Sequence, residues 1–339
     1  MDFKKYGSIN NLSTKNFLDN VRSCFPTITK KDFVVLEKAH GAHFSFQTNG
    51  KTVECGRRNN ILTDKDIFYN HTETLAKNLS KILDVFQRVE GKFKDVKTVQ
   101  VDGELIGGSY PHADVKQLDV TRIQKGIYYC PDHQFYAYDI KYCDKNDKWQ
   151  YINYDICMDI FYELKFFYAV PLLRGTFKDV IAFDPTFQTT LPDKFGLPII
   201  EGNIAEGVVL KPVEPLYLTT GSRVIFKNKT TKFSETKIKT TRTFVIKDLP
   251  PQVQEIQEGM YPMITLNRLY NVISKIGEVT ENDMGKLIGL LSRDVLDEYK
   301  KVYGDKLADL KKDKKMVTKA LAKQCRMVVI KYYEDEAKE

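Results

Sequence analysis

The chain has 339 residues, 42% of them apolar and 29% charged, which fits a soluble globular protein of about two domains and not a disordered or membrane-spanning chain. Lys and Arg number 52 against 45 Asp and Glu, a formal net charge of +7. Six scattered cysteines form no C-x-x-C pair and no zinc-spaced cluster with histidine, so they indicate a reducing compartment, cytoplasmic or otherwise intracellular. The first ten residues hold no apolar core of signal-peptide length, and no run of about 18 apolar residues predicts a membrane span.

In chain order, the short apolar run Phe33–Leu36 and the alternation around Phe44 and Phe46 in His43–Gln47 predict strands. The leucine spacing of Glu73–Val89 predicts a helix. Ile127–Tyr129 and Phe135–Ile140 are β-branched or aromatic and predict strands, and Asp155–Tyr168 predicts a helix with a broad apolar face. Val208–Leu210 and Val224–Phe226 repeat the strand pattern. Asp248-Leu249-Pro250-Pro251 reads as a linker, after which Ile264–Ile276, Asp283–Leu291, Arg293–Tyr303 and Met316–Tyr333 are helical, with the charge run Lys311–Lys315 an exposed turn or helix face.

The net charge is local. Residues 223–247 carry eight basic side chains (Arg223, Lys227, Lys229, Lys232, Lys237, Lys239, Arg242, Lys247) and one acid, Glu235, so this stretch accounts for the whole +7. Such a stripe suits contact with phosphates, or it is a solvated strand face.

Three segments carry chemistry. Glu37-Lys38-Ala39-His40-Gly41 follows an apolar run, so Lys38 is either a surface lysine or a pocket amine. Desolvation and nearby cations would make a pocket amine nucleophilic. Glu206-Gly207-Val208-Val209-Leu210-Lys211-Pro212 sets a carboxylate before a short apolar strand, a donor that suits Mg²⁺. In Val224–Lys229, strand alternation puts Lys227 and Lys229 on one side, where an anion between them would relieve their repulsion. Arg57-Arg58, beyond a hairpin signal at Asn49-Gly50, Gly103-Glu104-Leu105 and Phe135–Ile140 complete the set.

In this order and spacing the segments resemble the covalent nucleotidyltransferases, the polynucleotide ligases and capping enzymes. EKAHG, GRR, GEL, FYAYDI, EGVVLKP and VIFKNKTTKFSE are most similar to the RNA ligase 2 family, which contains phage nick-sealing ligases and trypanosome RNA-editing ligases. Thr265–Arg268 and Asn271–Glu278 resemble the helical domain of the phage members.

The resemblance implies an α+β fold: an ATP-grasp-like adenylyltransferase domain with antiparallel sheets over residues 1–243, then a small all-helical domain over 244–339. It implies an ATP-dependent RNA ligase. Lys38 takes AMP from ATP in a phosphoramide bond, passes it to an RNA 5′-phosphate, and a 3′-hydroxyl displaces it. The expected partner is nicked duplex RNA or an RNA/DNA hybrid, with no membrane, and the chain acts as a monomer in RNA repair. A phage or viral origin is compatible with the resemblance. An attacking amine must be neutral, so the ordinary lysine pKa of about 10.4 is expected to fall.

By the same resemblance Glu206 is the metal-proximal carboxylate for Mg²⁺ or Mn²⁺. Arg58 contacts phosphate, Glu104 lies at the ribose, and Tyr138, where phage relatives carry phenylalanine, stacks on adenine unless it is a core aromatic. Glu37 and His40, within the lysine motif, and Lys227 and Lys229 join the nucleotide-binding set. One departure is visible: the family continues Thr-Asn after the motif glycine, and this chain has Ala42-His43. That puts in doubt any nucleotide or strand contact from these two positions. Arg268 and Lys275, seven residues apart on one helical face, are expected either to hold RNA backbone or to solvate a domain interface.

A DNA ligase or a capping-type nucleotidyltransferase is the enzyme alternative, but those families usually carry an OB-fold where this chain is helical. A non-catalytic RNA clamp is the alternative of another class.

Overall fold

A computed structural model describes residues 1–235 and 250–337. Two compact units emerge, Met1–Lys232 and Phe233–Glu339. The expected boundary at 243/244 lies outside the described residues, as do Asp248 and Leu249 of the linker and Lys237, Lys239, Arg242 and Lys247 of the basic stripe.

The first unit is built on two five-stranded sheets. One contains β1 (Asn10–Asn11), β2 (Asp32–Glu37), β8 (Pro171–Thr176), β9 (Gly207–Pro212) and β10 (Phe226–Lys229), in the order β1-β10-β9-β2-β8. The other contains β3 (Ala42–Thr48), β4 (Val53–Arg57), β5 (Val96–Gly107), β6 (His133–Asp144) and β7 (Trp149–Tyr151), in the order β4-β3-β5-β6-β7. All pairings are antiparallel except the short β1–β10 pair.

Period-two patterning decides what each sheet face meets. In β3, Phe44 and Phe46 face a core shared with Val99 and Val101 of β5 and with Ile82, Val85, Phe86 and Val89 of α2 (His71–Glu90). The intervening His43, Ser45 and Gln47 are buried on the opposite face. In β2, Phe33 and Val35 pack with Val21 of α1 (Lys15–Cys24) and Phe177 and Val180 of α4 (Phe177–Ile181).

Three local expectations change. Ile127–Tyr129 forms no strand; Asn203 brackets Tyr128 instead, accepting from its N–H at 3.0 Å and donating to its carbonyl at 2.6 Å. Helix α3 (Tyr154–Glu163) stops short of Tyr168 because Lys165 adopts φ +53°, which returns the chain to bond with Ala137. Of Val224–Phe226 only Phe226 lies in β10; the Val224 N–H bonds to Leu216.

The second unit is helical, with α5 (Pro251–Met260), α6 (Leu266–Ile273), α7 (Met284–Tyr303) and α8 (Lys314–Glu336). Leu287, Leu291, Val295 and Tyr299 of α7 and Val317, Leu321, Cys325 and Val329 of α8 recur every fourth residue and form its core. Helix α7 is continuous where the sequence suggested two segments, with Ser292 bonding back to the Ile288 carbonyl at 2.7 Å. The whole is the α+β architecture with a helical second part that the sequence implied. Among the described residues no helix is long and apolar enough to cross a membrane.

Candidate active site

Three neighbouring strands end at the same edge of the first sheet. β2 runs out at Glu37, which opposes Val208 near the start of β9, and Lys229 at the end of β10 opposes Gly207. The residues just beyond these ends therefore converge. Lys38 is tied in by its N–H to the Gly207 carbonyl at 2.9 Å, and Glu206 by its carbonyl to the Thr230 N–H at 3.0 Å. Their side chains meet: Lys38 Nζ lies 2.7 Å from Glu206 Oε2, and Lys229 Nζ 2.8 Å from Oε1. His40 Nδ1 stands 3.4 Å from Oε2.

Two glycines make this approach possible. A Cβ on Gly41 would sit 2.0 Å from the Leu105 carbonyl oxygen and 2.8 Å from Glu104 Cγ, so only glycine lets the lysine motif lie against β5. Gly207 has φ +145°, and a Cβ there would lie 2.1 Å from the Asn228 carbonyl oxygen.

Between the sheets lies a cleft with about 480 Å³ of empty space, part of it open to solvent. Lys38, Val209 and Lys211 border it from the first sheet, Glu104 and Tyr138 from the second, and Tyr6 from the N-terminal segment. Its lining, a lysine and a carboxyl group among aromatic rings, offers partners for the phosphate, sugar and base of a nucleotide. Tyr138 reaches it through a bulge. Asp102 pairs with Asp139 and Gly103 with Ala137, which leaves Tyr138 as the extra residue of β6.

The electrostatics are uneven. Burial works against the charge of Glu206, but Lys229, Lys38 and His40 outweigh it and hold the carboxyl well below its usual range. Burial lowers the His40 imidazole, despite the neighbouring Glu206. Glu104 is raised to about 7, chiefly by burial, with Lys38 opposing and Glu206 adding to the shift. Arg58, half-buried after β4, bears on Glu104, His43 and Tyr138. Lys227 opposes Val209 in β10 and is half-buried.

Glu37 borders the cleft, but its carboxylate is engaged elsewhere. It accepts from Thr189 Oγ1, from the Thr190 N–H at 2.9 Å and from Thr190 Oγ1 at 2.7 Å. It anchors that loop, and a nucleotide contact through its carboxylate has to compete with these bonds.

The expectation of RNA contact by Arg268 is corrected. Its side chain is 2% exposed, donating to the Met263 carbonyl at 2.8 Å and to Asp294 Oδ2 at 2.8 Å. Helical spacing put it on one face with Lys275, as read, but Asp294 takes both cations on that face, Lys275 at 2.6 Å. Arg223 likewise leaves the basic stripe. It is buried against Asp139 at 2.8 Å, with its guanidinium 3.8 Å from the Tyr151 ring centre.

Sequence reasoning missed the group around Asp139. Lys211 Nζ at 2.6 Å, Arg223 and the Tyr6 hydroxyl at 2.6 Å all reach this carboxylate. Burial opposes its ionisation, but Arg223 and Lys211 hold it strongly below the usual carboxylate range. Lys211 is the penultimate residue of the EGVVLKP segment, and Asp139 follows the bulge. Nothing in the spacing pairs them.

Among the described residues no group of three or more His, Cys, Asp or Glu side chains could hold a metal by itself. A hydrated Mg²⁺ needs only one or two carboxylates beside substrate oxygens. Glu206 is the charged carboxylate beside Lys38, but Lys38 and Lys229 occupy its two oxygens, so a metal there has to displace one of them.

The RNA ligase family model matches residues 31–229, and the model of the T4 RNA ligase 2 C-terminal region matches residues 248–327. Mitochondrial RNA-editing ligase 2 of Trypanosoma brucei brucei is 27% identical over 350 residues, covering 88% of this chain and 83% of the relative. Mitochondrial RNA-editing ligase 1 of the same organism is 26% identical over 336 residues, covering 81% and 71%. A solved RNA ligase of Naegleria gruberi with ATP and Mn aligns with a TM-score of 0.46 and 14% identity over 68% of this chain, which spans 57% of the length of that one. With the family model running from the strand that delivers Lys38 to the one that delivers Lys229, and the second model following into the helices, this chain is an enzyme of the RNA ligase family.

Proposed function

We propose that the protein is an ATP-dependent RNA ligase that works through AMP bound covalently to Lys38. The convergence of Glu206 and Lys229 on Lys38, which borders the cleft between the sheets, carries this reading. A primary amine beside a cleft flanked by cations is what attack on an α-phosphate requires.

In the first step Lys38 Nζ, having lost its proton, forms a bond to the α-phosphorus of ATP while the bond to pyrophosphate breaks. Lys38 must leave Glu206 to do so. Lys229 and Lys227 of β10 would neutralise phosphate charge, Tyr138 would stack on the base and Glu104 would hold the sugar. Arg58 supplies a further phosphate contact and His40 holds Glu206 in place. Stacking on an aromatic is worth roughly 1–3 kcal/mol. A divalent ion, Mg²⁺ or Mn²⁺, held by Glu206 would stabilise charge on the phosphoryl oxygens. AMP then passes to an RNA 5′-phosphate, which a 3′-hydroxyl attacks with release of AMP.

The substrate we favour is a nick in duplex RNA or an RNA/DNA hybrid, bound by a monomer. This rests on the match of residues 248–327 to the C-terminal region of a phage ligase. Incubation with ATP and a panel of nicked duplexes, RNA or DNA on each side, tests it. Sealing of single strands in preference to nicks would overturn the substrate, and label taken from GTP rather than ATP would favour a capping-type reaction.

A further inference from the structure

His43, one of the two residues at which the lysine motif departs from the family pattern, and Tyr138, where phage relatives carry phenylalanine, touch each other. His43 Nδ1 lies 2.8 Å from the Tyr138 hydroxyl. Burial pushes the phenol well above its usual value, so the hydroxyl keeps its proton and donates. Nδ1 then accepts, which requires the proton of the neutral ring on Nε2. Asp102 Oδ1 is 3.7 Å from Nε2, beyond hydrogen-bonding distance, so the tautomer follows from the Tyr138 bond alone. Asp102 is itself fixed by Gln100 Nε2 at 2.8 Å and Lys141 Nζ at 3.3 Å. Burial, with Arg58 and Lys141, keeps the imidazole uncharged and Nδ1 available.

Tyr138 is therefore held at its hydroxyl and at its backbone. Lys211 Nζ donates to the Tyr138 carbonyl at 2.8 Å, and Tyr6 meets the ring edge-on at 5.3 Å between centroids. A bulged residue lacks the ladder bonds that would otherwise aim its side chain.

We propose that His43 is a positioning residue for Tyr138, and that the hydrogen-bonded pair, not the tyrosine alone, sets the cleft's grip on the nucleotide base. This rests on the adenylylation reading above. The histidine need not touch the nucleotide. It accepts a hydrogen bond that a phenylalanine at 138 would not offer, so the two residues are energetically one unit.

A double-mutant cycle on adenylylation kinetics tests this, with His43→Asn, Tyr138→Phe and the double variant assayed beside the wild type. Each single change leaves one buried polar partner unsatisfied, so each is expected to raise the half-saturating ATP concentration by about tenfold. The maximal rate should change less than about threefold, because Lys38 is untouched. The double variant should bind ATP no worse than the weaker single one. A merely structural role would lower thermal stability and active fraction without moving ATP half-saturation. That outcome, or a double variant whose defect equals the product of the singles, overturns the proposal. Tyr138→Phe keeps the ring's volume and remains informative if His43→Asn fails to fold. A wild-type protein that takes no label from ATP overturns the adenylylation reading itself and this inference with it. A labelled wild type with an additive cycle overturns the inference alone.

Discussion

Lys38 Nζ and Glu206 Oε2 are 2.7 Å apart although 168 positions separate them in the chain. Antiparallel pairing of β2 with β9 makes that contact: Glu37 opposes Val208, so the residues flanking them fall together. The carboxylate has a second cation, Lys229, on its other oxygen. Glu206 thus holds both the proposed nucleophile and the lysine proposed to bind phosphate.

Removing that carboxylate should damage both chemistry and folding. Glu206→Ala leaves Lys38, Lys229 and His40 facing one another around a buried gap. Breaking a buried pair typically costs about 3–5 kcal/mol. We expect a clear fall in Tm, read by thermal unfolding, and at least about a hundredfold loss of adenylylation rate. Glu206→Gln should recover much of the stability and little of the rate.

The motif glycine gives a purely steric test. Gly41→Ala places a Cβ 2.0 Å from the Leu105 carbonyl oxygen, and backbone cannot move aside cheaply. Destabilisation of at least about 2–3 kcal/mol is expected from denaturant unfolding. Gly285→Ala, on helix α7, meets nothing within 4 Å and should be neutral or stabilising by up to about 1 kcal/mol. Equal effects at the two positions would contradict this picture of the lysine motif.

Glu104 sets a pH dependence with a definite sign. Burial raises its carboxyl from 4.5 to about 7, so the folded protein binds this proton more tightly than the unfolded chain. The resulting stability is whole below about pH 4.5 and is lost as pH rises through about 7. Glu104→Gln carries no such loss. Comparing Tm from about pH 5 to about pH 8 without nucleotide, the wild type should fall relative to Glu104→Gln by several degrees. A constant difference across that range would show that Glu104 does not titrate there.

The buried guanidinium of α6 supplies a fourth prediction. Arg268→Ala strands Asp294 with Lys275 alone and empties a site that is 2% exposed. The expected result is destabilisation of about 3–5 kcal/mol in chemical unfolding, with adduct formation retained under conditions where the chain stays folded. An Arg268→Ala protein of normal stability with weakened RNA binding would restore the surface role that burial argues against.

What could be read in the sequence follows from where the chemistry sits. Lys38, Glu206 and Lys229 each border a short apolar strand, so strand ends and charge together marked them. The alternation at Phe44 and Phe46 gave β3 correctly because a single face of that strand meets the α2 core. Tyr138 was found by resemblance, but its approach to the cleft depends on a bulge, and a one-residue insertion in pairing leaves no trace in residue type. The contacts of Glu37 with Thr189 and Thr190, and of Asp139 with Lys211 and Arg223, join segments distant in the chain without a shared pattern. Arg268 shows the limit of periodicity: seven-residue spacing identifies a face and says nothing about whether that face is inside.

The central claim is the covalent role of Lys38. The most direct measurement is incubation of the full chain with ATP labelled at the α-phosphate and a divalent metal, followed by denaturation and peptide mapping of the label. The account predicts one AMP on the peptide containing Lys38, release of pyrophosphate, and no adduct on Lys38→Ala. An adduct that survives Lys38→Ala, or maps to another residue, contradicts it.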